Sequence, residues 1–162
     1  MHKFRFHNRL MTLDSTTISL CLELFPWAEF RRTKGGVKLH VLLDHSDYMP
    51  AYVCISTARE HDVHQARILN LKTGSIVVFD KAYNDYELFG KWTDSGIFFV
   101  TRMKDNAAYQ VVSSNKIPAG KNIIRDQTII LSGVNACEKC PYCLRRVVVW
   151  DSINEQIGRA HV

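Results

Sequence analysis

Apolar and polar positions alternate along residues 37–43, where every second side chain is apolar. This period of two predicts a β-strand with one buried face. Turn residues follow at His45-Ser46-Asp47, and the extended run over 50–56 predicts the second strand of a hairpin. The runs 76–79 and 97–101 are apolar without alternation, which is typical of strands covered on both faces. We expect these strands to share one mixed sheet.

Two helices are predicted between the strands. The first begins after Asp62, which can cap it, and ends at Thr73-Gly74. The second begins after Asn84, which forms a variant capping box with Glu87, and ends at Gly96. The apolar side chains that share a face of these helices are Val63, Ala66 and Leu69 in the first, and Tyr86, Phe89 and Trp92 in the second.

Residues 10–13 predict a further strand, which ends near the carboxylate of Asp14. From there to Thr101 the predicted order is strand, hairpin, helix, strand, helix, strand. Beyond Met103, polar turns separate short β-rich runs without helical periodicity. Within that region we predict strands at 123–124, 128–131 and 145–150. The chain is therefore predicted to have an α/β core over 1–102, followed by a β-rich segment over 103–152.

Composition and charge narrow the class of protein. Of the 162 residues, 46% are hydrophobic and 23% charged, which excludes a disordered tail, a collagen or a coiled coil. Lys and Arg total 21 against 16 Asp and Glu, and this net charge of +5 fits a polyanionic partner without identifying one. The start of the chain has no apolar secretory segment, and the five Cys are an odd number, so we expect reduced thiols in the cytoplasm.

Asp14 and Asp80 are the first candidates for chemistry. Each directly follows an apolar run that is predicted to be a strand. Carboxylates at neighbouring strand ends can hold Mg²⁺ or Mn²⁺, which prefer oxygen ligands and can support phosphodiester displacement. The alternative is that each Asp only caps a strand or a turn, a common role for this residue.

Several segments around the two aspartates resemble the catalytic domain of IS4-family insertion-sequence transposases. The resemblance runs in order over about residues 10–152. The segments that carry it are Leu13–Ile18, Phe30–His40, Thr57–Val63, Phe79–Tyr83, Phe98–Arg102, Asp126–Thr128 and Leu144–Arg146.

The resemblance implies an RNase H-like fold in which an Asp-Asp-Glu triad binds divalent metal, Mg²⁺ or Mn²⁺. Asp14 matches the first aspartate of the triad and Asp80 the second. The segment 103–152 matches a β-rich insertion that separates the second aspartate from the glutamate. The implied reaction is DNA strand cleavage and strand transfer at insertion-sequence ends. The implied partners are the terminal repeats, target DNA and, for the intact protein, further copies of itself.

The third carboxylate of the triad has no match. In the family it lies in the pattern Tyr-x₂-Arg-x₃-Glu-x₆-Lys, and here Tyr142 and Arg145 are followed at the glutamate position by Val149. Glu155 lacks a Tyr and an Arg at the required distances, so we assign it no catalytic role. We expect that the chain stops before the triad is complete, and that this fragment has little or no activity.

The last residues support the same expectation. Residues 157–162 resemble one reading frame of a common sequencing adapter. We therefore predict a truncated end over 153–162 with a non-native tail, the alternative being an ordinary polar tail.

A basic cluster precedes the predicted hairpin. Its cationic side chains are Arg31, Arg32, Lys34 and Lys38. They would suit contact with a DNA phosphate backbone near the metal site. The alternative is a solvated loop. Trp27 and Phe30 beside the cluster are expected to be core residues rather than stacking platforms for bases.

Cys137, Cys140 and Cys143 have a spacing that allows thiolates to share Zn²⁺, but a closed structural site needs four ligands. A loop of reduced thiols is the favoured interpretation. His61 and His64 alone make a poor metal site. Two alternatives to a transposase stay open: a non-enzymatic DNA-binding module that is basic or carries zinc, and an RNase H-like nuclease with no role in transposition.

Overall fold

The computed structural model describes residues 6–31, 34–117, 119–151 and 156–161, with residues 30, 31, 151 and 156–161 described by their backbone alone. By its internal contacts the chain divides into two units, residues 1–78 and 79–162. The predicted boundaries at 102 and 152 stay a prediction.

The first unit is built on an antiparallel sheet. Its elements are β1 (Leu10–Leu20), β2 (Glu29–Arg31), β3 (Lys34–Asp44), β4 (Pro50–Thr57), α1 (Asp62–Arg67) and β5 (Ile76–Phe79), whose last residue belongs to the second unit. β3 pairs antiparallel with β1, β2 and β4, and β5 lies beside β1. The predicted hairpin is confirmed as β3 and β4.

Alternation sorts the side chains of this sheet into two faces. Leu13 and Leu42 are buried on one face, which also has α1 packed against it through the polar side chains described below. Val53 and Ile55 of β4 are exposed on the other. The period of two in 37–43 thus predicted the strand but not its buried face. His40, Leu42 and Asp44 are buried, whereas the alternating apolar residues Leu39, Val41 and Leu43 are only half-buried. The buried face carries the polar side chain of His40 because it pairs within the network described below.

The second unit combines two helices with an antiparallel sheet. Its elements are α2 (Tyr86–Asp94), β6 (Phe98–Arg102), β7 (Tyr109–Ser114), β8 (Ile123–Leu131), α3 (Val134–Lys139), β9 (Leu144–Asp151) and β10 (Gln156–His161). The strand order is β6-β10-β9-β8-β7. Phe89 and Trp92 of α2 are buried, as their helical spacing predicted.

Several predictions about local structure are wrong. The segment 103–152 contains a helix, α3, whose six residues are too few to show a helical period. The two short runs 123–124 and 128–131 form one strand, β8, because the side chain of Asp126 between them is buried and does not interrupt the strand. Residues 156–161 pair with β9 and β6 as a strand, and the predicted truncated end with a non-native tail over 153–162 stays a prediction. Trp27 is 64% exposed, because the 3-10 turn that contains it turns Ala28 inward instead.

In the described ranges, no helix has both the length and the apolar character that crossing a bilayer requires.

Candidate active site

Asp14 lies within β1, not at its end. The strand continues to Leu20 because the hydroxyl and β-branched residues 15–18 pair with residues 37–40 of β3, so the predicted strand end is wrong. The Asp14 carboxylate is exposed, and its Oδ1 accepts a hydrogen bond from the Ser15 N–H at 2.8 Å. Asp14 faces Val41 across the strand pair. Its carboxylate is therefore held by the sheet and open to solvent.

A polar network lies on the opposite face of β1. Ser15 is the neighbour of Asp14, so its side chain points to the other side of the sheet. Its Oγ donates to Asp62 Oδ1 at 3.2 Å, and Lys38 Nζ donates to the same oxygen at 3.1 Å. Asp62 therefore joins β1, β3 and α1 directly behind Asp14. The predicted capping role of Asp62 is wrong, since it lies in the first turn of α1 and His61 holds the N-cap position.

His40 belongs to the same network and is fully buried. Its Nε2 lies 2.9 Å from Ser56 Oγ, and its Nδ1 lies 3.8 Å from Asp62 Oδ1. Burial lowers the pKa of His40 below its usual range, against the opposing effect of the Asp62 charge. The imidazole is therefore mainly neutral at neutral pH and acts as a structural contact.

The four side chains of the predicted DNA contact differ in exposure and in whether the structure describes them. Lys34 is exposed. Lys38 has a side chain only 17% exposed, and its Nζ also donates to the Glu60 carbonyl at 3.0 Å, so it is held inside the first unit. The side chain of Arg31 and all of Arg32 lie outside the described residues. Contact between this cluster and DNA stays a prediction.

Asp80 directly follows β5, as predicted. Its Oδ1 accepts the Ala82 N–H at 2.7 Å and so caps the 3-10 turn Lys81–Tyr83. Its Oδ2 accepts a hydrogen bond from Arg102 Nη2 at 2.7 Å. The Arg102 guanidinium, aided by the Ala82 N–H, lowers the pKa of Asp80 from its usual value, although partial burial opposes this. Asp80 is therefore both a cap and an ionised carboxylate beside a cation.

An aromatic cluster supports Asp80 from within the second unit. The Phe79 ring contacts the rings of Tyr83, Trp92 and Phe99 at centroid distances of 5.5–6.3 Å, and Phe89 stacks on Phe99 at 4.5 Å. These side chains are 4% exposed or less. Since packed aromatic pairs prefer such offset and edge-on geometries, the cluster fixes the end of β5.

Asn84 connects the segment after Asp80 to β6. Its Nδ2 donates to the Arg102 carbonyl and its Oδ1 accepts from Thr101 Oγ1, both at 2.8 Å. Because both side-chain groups are engaged in this way, Asn84 does not cap α2, and the predicted capping box is wrong. Asp85 caps the helix by accepting the Leu88 N–H at 3.0 Å.

A cleft of about 510 Å³ opens beside Asp80. One wall comes from the turn after β5 and the other from the loop after β6. The cleft is lined by Asp80, Lys81, Ala82, Lys104, Asp105 and Asn106. We refer to it below as the Asp80 cleft.

The three cysteines of the predicted zinc motif are not arranged as a site. Cys137 and Cys143 are exposed and Cys140 is buried. Burial raises the pKa of the Cys140 thiol, which disfavours the thiolate that zinc needs. Throughout the described part of the chain, no three His, Cys, Asp or Glu side chains form a group that could hold a metal ion. Glu155 lies outside the described residues.

Comparison with protein families shows which family this chain belongs to. A family model described as the transposase DDE domain matches residues 6–139. The chain belongs to the DDE transposase family. Membership confirms the predicted transposase resemblance and does not favour a non-enzymatic module or an unrelated nuclease. The narrower assignment to the IS4 family stays a prediction.

Two relatives whose names contain the word transposase match most of this chain. The chain is 33% identical over 147 residues to a Sinorhizobium fredii protein named as the transposase y4zB, covering 86% of this chain and 40% of the relative. It is 29% identical over 151 residues to a Geobacillus stearothermophilus protein named as a transposase for insertion sequence element IS5377, covering 93% and 39%. The chain thus spans about two fifths of each relative.

A solved structure confirms the predicted fold of this DDE transposase chain. The piggyBac transposase, solved as a synaptic complex with hairpin DNA, aligns with a TM-score of 0.50 at 9% identity. The alignment covers 94% of this chain and 32% of the piggyBac chain. This likeness shows the RNase H-like fold.

DDE transposases use divalent metal ions, and the donor chemistry of the two aspartates fits such ions. Asp14 presents an exposed carboxylate, and Asp80 an ionised one. Hard cations prefer oxygen ligands of this kind. At Asp80 a cation would have to share or displace the Arg102 guanidinium, since Arg102 donates to Oδ2.

Three residues of the Asp80 region were missed by reasoning from sequence. Arg102 ends one of the segments that resemble the family, and Lys81 directly follows Asp80, but neither position indicates a role by itself. Lys104 lies in a loop with no pattern of its own. Their proximity to Asp80 depends on pairing between segments of the second unit, which short sequence motifs do not reveal.

Proposed function

We propose that this chain forms part of the catalytic domain of a DNA transposase that cleaves and joins DNA at insertion-sequence ends. Its metal ion would be Mg²⁺ or Mn²⁺. Its partners would be the terminal repeats and target DNA, with further copies of the intact protein, in the cytoplasm. The observation that carries the proposal is the match to the transposase DDE domain over residues 6–139, with a low-pKa aspartate at the end of β5.

Asp14 and Asp80 each have one task in this proposal, which is to supply carboxylate oxygens to metal. When bound, divalent cations lower the pKa of an attacking water and offset charge on the leaving oxygen of a phosphodiester. Asp80 stays ionised at neutral pH because Arg102 and the Ala82 N–H stabilise its charge. Asp14 is held in register by β3, so its backbone position does not depend on metal.

The rest of the chain would keep these oxygens in place. The Asp62 network fixes β1 to β3 and α1 behind Asp14. The aromatic cluster fixes the end of β5 behind Asp80. Catalytic groups need supporting contacts of this kind, because small misplacements greatly reduce the rate.

Mn²⁺ binding to the chain tests the proposal. Substoichiometric Mn²⁺ should broaden the amide resonances around Asp14 and Asp80 in an NMR spectrum. Asp14→Asn and Asp80→Asn should each reduce this broadening at their own position. Asp47→Asn, in the exposed turn between β3 and β4, is the matched control and should change neither region. Broadening that survives both substitutions would disprove the assignment of these aspartates.

DNA cleavage is expected to be weak or absent for the 162-residue chain, because no glutamate in it matches the third position of the triad. Mg²⁺-dependent cleavage of element-end DNA, abolished by Asp80→Ala, would contradict this expectation. It would mean that another carboxylate of this chain completes the site.

A further inference from the structure

The Asp80 cleft has the shape of a site for an extended ligand rather than for a metal ion. Its volume of about 510 Å³ is far larger than a cation needs, and it is open along the surface between two backbone segments. The turn after β5 contributes Lys81 and Ala82, and the loop after β6 contributes residues 104–106. Whatever fills this cleft would lie directly against the Asp80 carboxylate.

Positive charge exceeds negative charge around the cleft. Lys81 and Lys104 line it, and Arg102 pairs with Asp80 at its rim. Against these three cations stand the carboxylates of Asp80 and Asp105. A divalent cation at Asp80 would increase the surplus. The charge therefore favours an anion in the cleft.

Lys104 is held in place for such a contact. Its Nζ donates to the Asn84 carbonyl at 3.2 Å, and Asn84 is itself bound to β6 through Thr101 and the Arg102 carbonyl. An ammonium has three donors, so this single bond leaves two for a ligand. The amine is thus tethered to the same β6 end that presents Arg102 to Asp80.

Lys81 is available to a ligand for a different reason. Its side chain is 50% exposed, and its Nζ lies 3.9 Å from Oδ2 of Asp105, whose side chain is 88% exposed. Exposed pairs at such a distance contribute little, so the Lys81 ammonium can turn to a stronger anion without a large cost.

We propose that the Asp80 cleft binds a backbone phosphate of DNA through Lys81 and Lys104, next to the phosphate that reacts at Asp80. This inference rests on the proposed function, which supplies DNA as the substrate, and adds the subsite that holds the strand. It assigns DNA contact to the second unit, in addition to the basic cluster 31–38 of the first. The contact is with phosphate and carries no base specificity.

Binding of a fluorescently labelled DNA duplex of arbitrary sequence, followed by anisotropy in EDTA over a range of salt concentrations, tests the inference. The variant Lys81→Gln with Lys104→Gln removes two charges from the cleft. The control Lys116→Gln with Lys121→Gln removes two exposed charges between β7 and β8. Both double variants have the same net charge, so any difference between them reflects local contact.

The cleft variant should raise the dissociation constant roughly tenfold at moderate salt and reduce the slope of log K against log salt by about 1, since the one phosphate that both lysines contact contributes about 0.9. The control should change both quantities much less. Equal effects of the two double variants, with wild-type DNA binding intact, would overturn the inference and leave the proposed function standing. No binding of the duplex by the wild-type chain at low salt would overturn both. Unchanged circular dichroism and melting temperature confirm that the variants fold.

Discussion

Arg102 and Asp80 form an ion pair across the ends of β6 and β5, with Nη2 and Oδ2 2.7 Å apart. The guanidinium occupies an oxygen that a metal ion at Asp80 would need. The Arg102 side chain is 68% exposed, and ion pairs of this exposure contribute about 1 kcal/mol or less. The pair therefore keeps Asp80 ionised while offering only weak competition to a divalent cation.

Arg102→Gln should strengthen Mn²⁺ binding at Asp80. The substitution removes a competing cation, and a pair worth up to about 1 kcal/mol corresponds to an increase in affinity of up to about fivefold. Mn²⁺ titrations followed by electron paramagnetic resonance at neutral pH measure the change. Arg59→Gln is the control, because Arg59 is a similarly exposed arginine paired with Glu29 and carries the same charge. Weaker Mn²⁺ binding in Arg102→Gln would instead make Arg102 part of the metal site.

Gly90→Ala should destabilise the second unit. A Cβ at this position would clash with the carbonyl oxygen of Lys139, so α2 and α3 would have to move apart. Overpacking against backbone typically reduces the free energy of unfolding by about 1–3 kcal/mol. Urea denaturation measures the loss.

Gly133→Ala provides the comparison for Gly90→Ala. Gly133 has an extended backbone, and its added Cβ would meet Ala136 at an ordinary 3.7 Å. We expect a change within about 0.5 kcal/mol, as for most substitutions without a clash. If Gly90→Ala and Gly133→Ala change the free energy of unfolding equally, then the close approach of α2 and α3 does not exclude a side chain at position 90.

The apolar face of α2 was predictable from sequence, whereas the helix that packs against α2 at Gly90 was not. Phe89 and Trp92 recur at helical spacing, and this local pattern is enough to place them in the core. Gly90 gives the opposite signal, because glycine within a helix weakens it. Its role becomes clear only from Lys139, which belongs to a short helix far along the chain.

In the candidate site, too, local patterns were predictable from sequence and long-range pairing was not. Asp80 was found because an apolar run ends directly before it, and the structure places it at that strand end. Asp14 was identified but misplaced, since the predicted strand end became the middle of β1 once residues 15–18 paired with β3. Pairing between distant segments is a tertiary effect, and the sequence of one strand does not show how far its partner extends.

Phe98 and Phe99 offer a matched pair of substitutions on one strand. Phe99 is 3% exposed and packs in the aromatic cluster behind Asp80, whereas Phe98 is 54% exposed. Phe99→Ala should therefore reduce the free energy of unfolding by about 3–5 kcal/mol, the usual range for a buried phenylalanine. Phe98→Ala should cost much less, and chemical denaturation distinguishes the two. Comparable losses would mean that Phe98 is covered in solution.

Asp126 of β8 and Arg145 of β9 form an ion pair whose carboxylate is buried. Arg145 donates from Nε to Oδ1 at 3.0 Å and from Nη2 to Oδ2 at 2.5 Å, and Asn115 donates to Oδ1 at 2.9 Å. These bonds, led by that from Arg145, lower the pKa of Asp126 to about 2, although burial opposes the shift. The Asp126 side chain is only 3% exposed.

Because the pKa of Asp126 is low in the folded chain, the free energy of unfolding should depend on pH in the acidic range. The folded pKa of about 2 lies below the value of 3.8 expected when unfolded, so the stabilisation is complete above pH 4–5 and is lost as pH falls towards 2. A shift of nearly two pKa units corresponds to roughly 2 kcal/mol. Asp126→Asn should therefore lower the free energy of unfolding by about that amount at pH 7, and the difference from wild type should shrink towards pH 2. Urea denaturation at a series of pH values measures both, with Asp47→Asn as the exposed control. A difference that stays constant from pH 7 to pH 2 would show that Asp126 contributes through its shape and not through its charge.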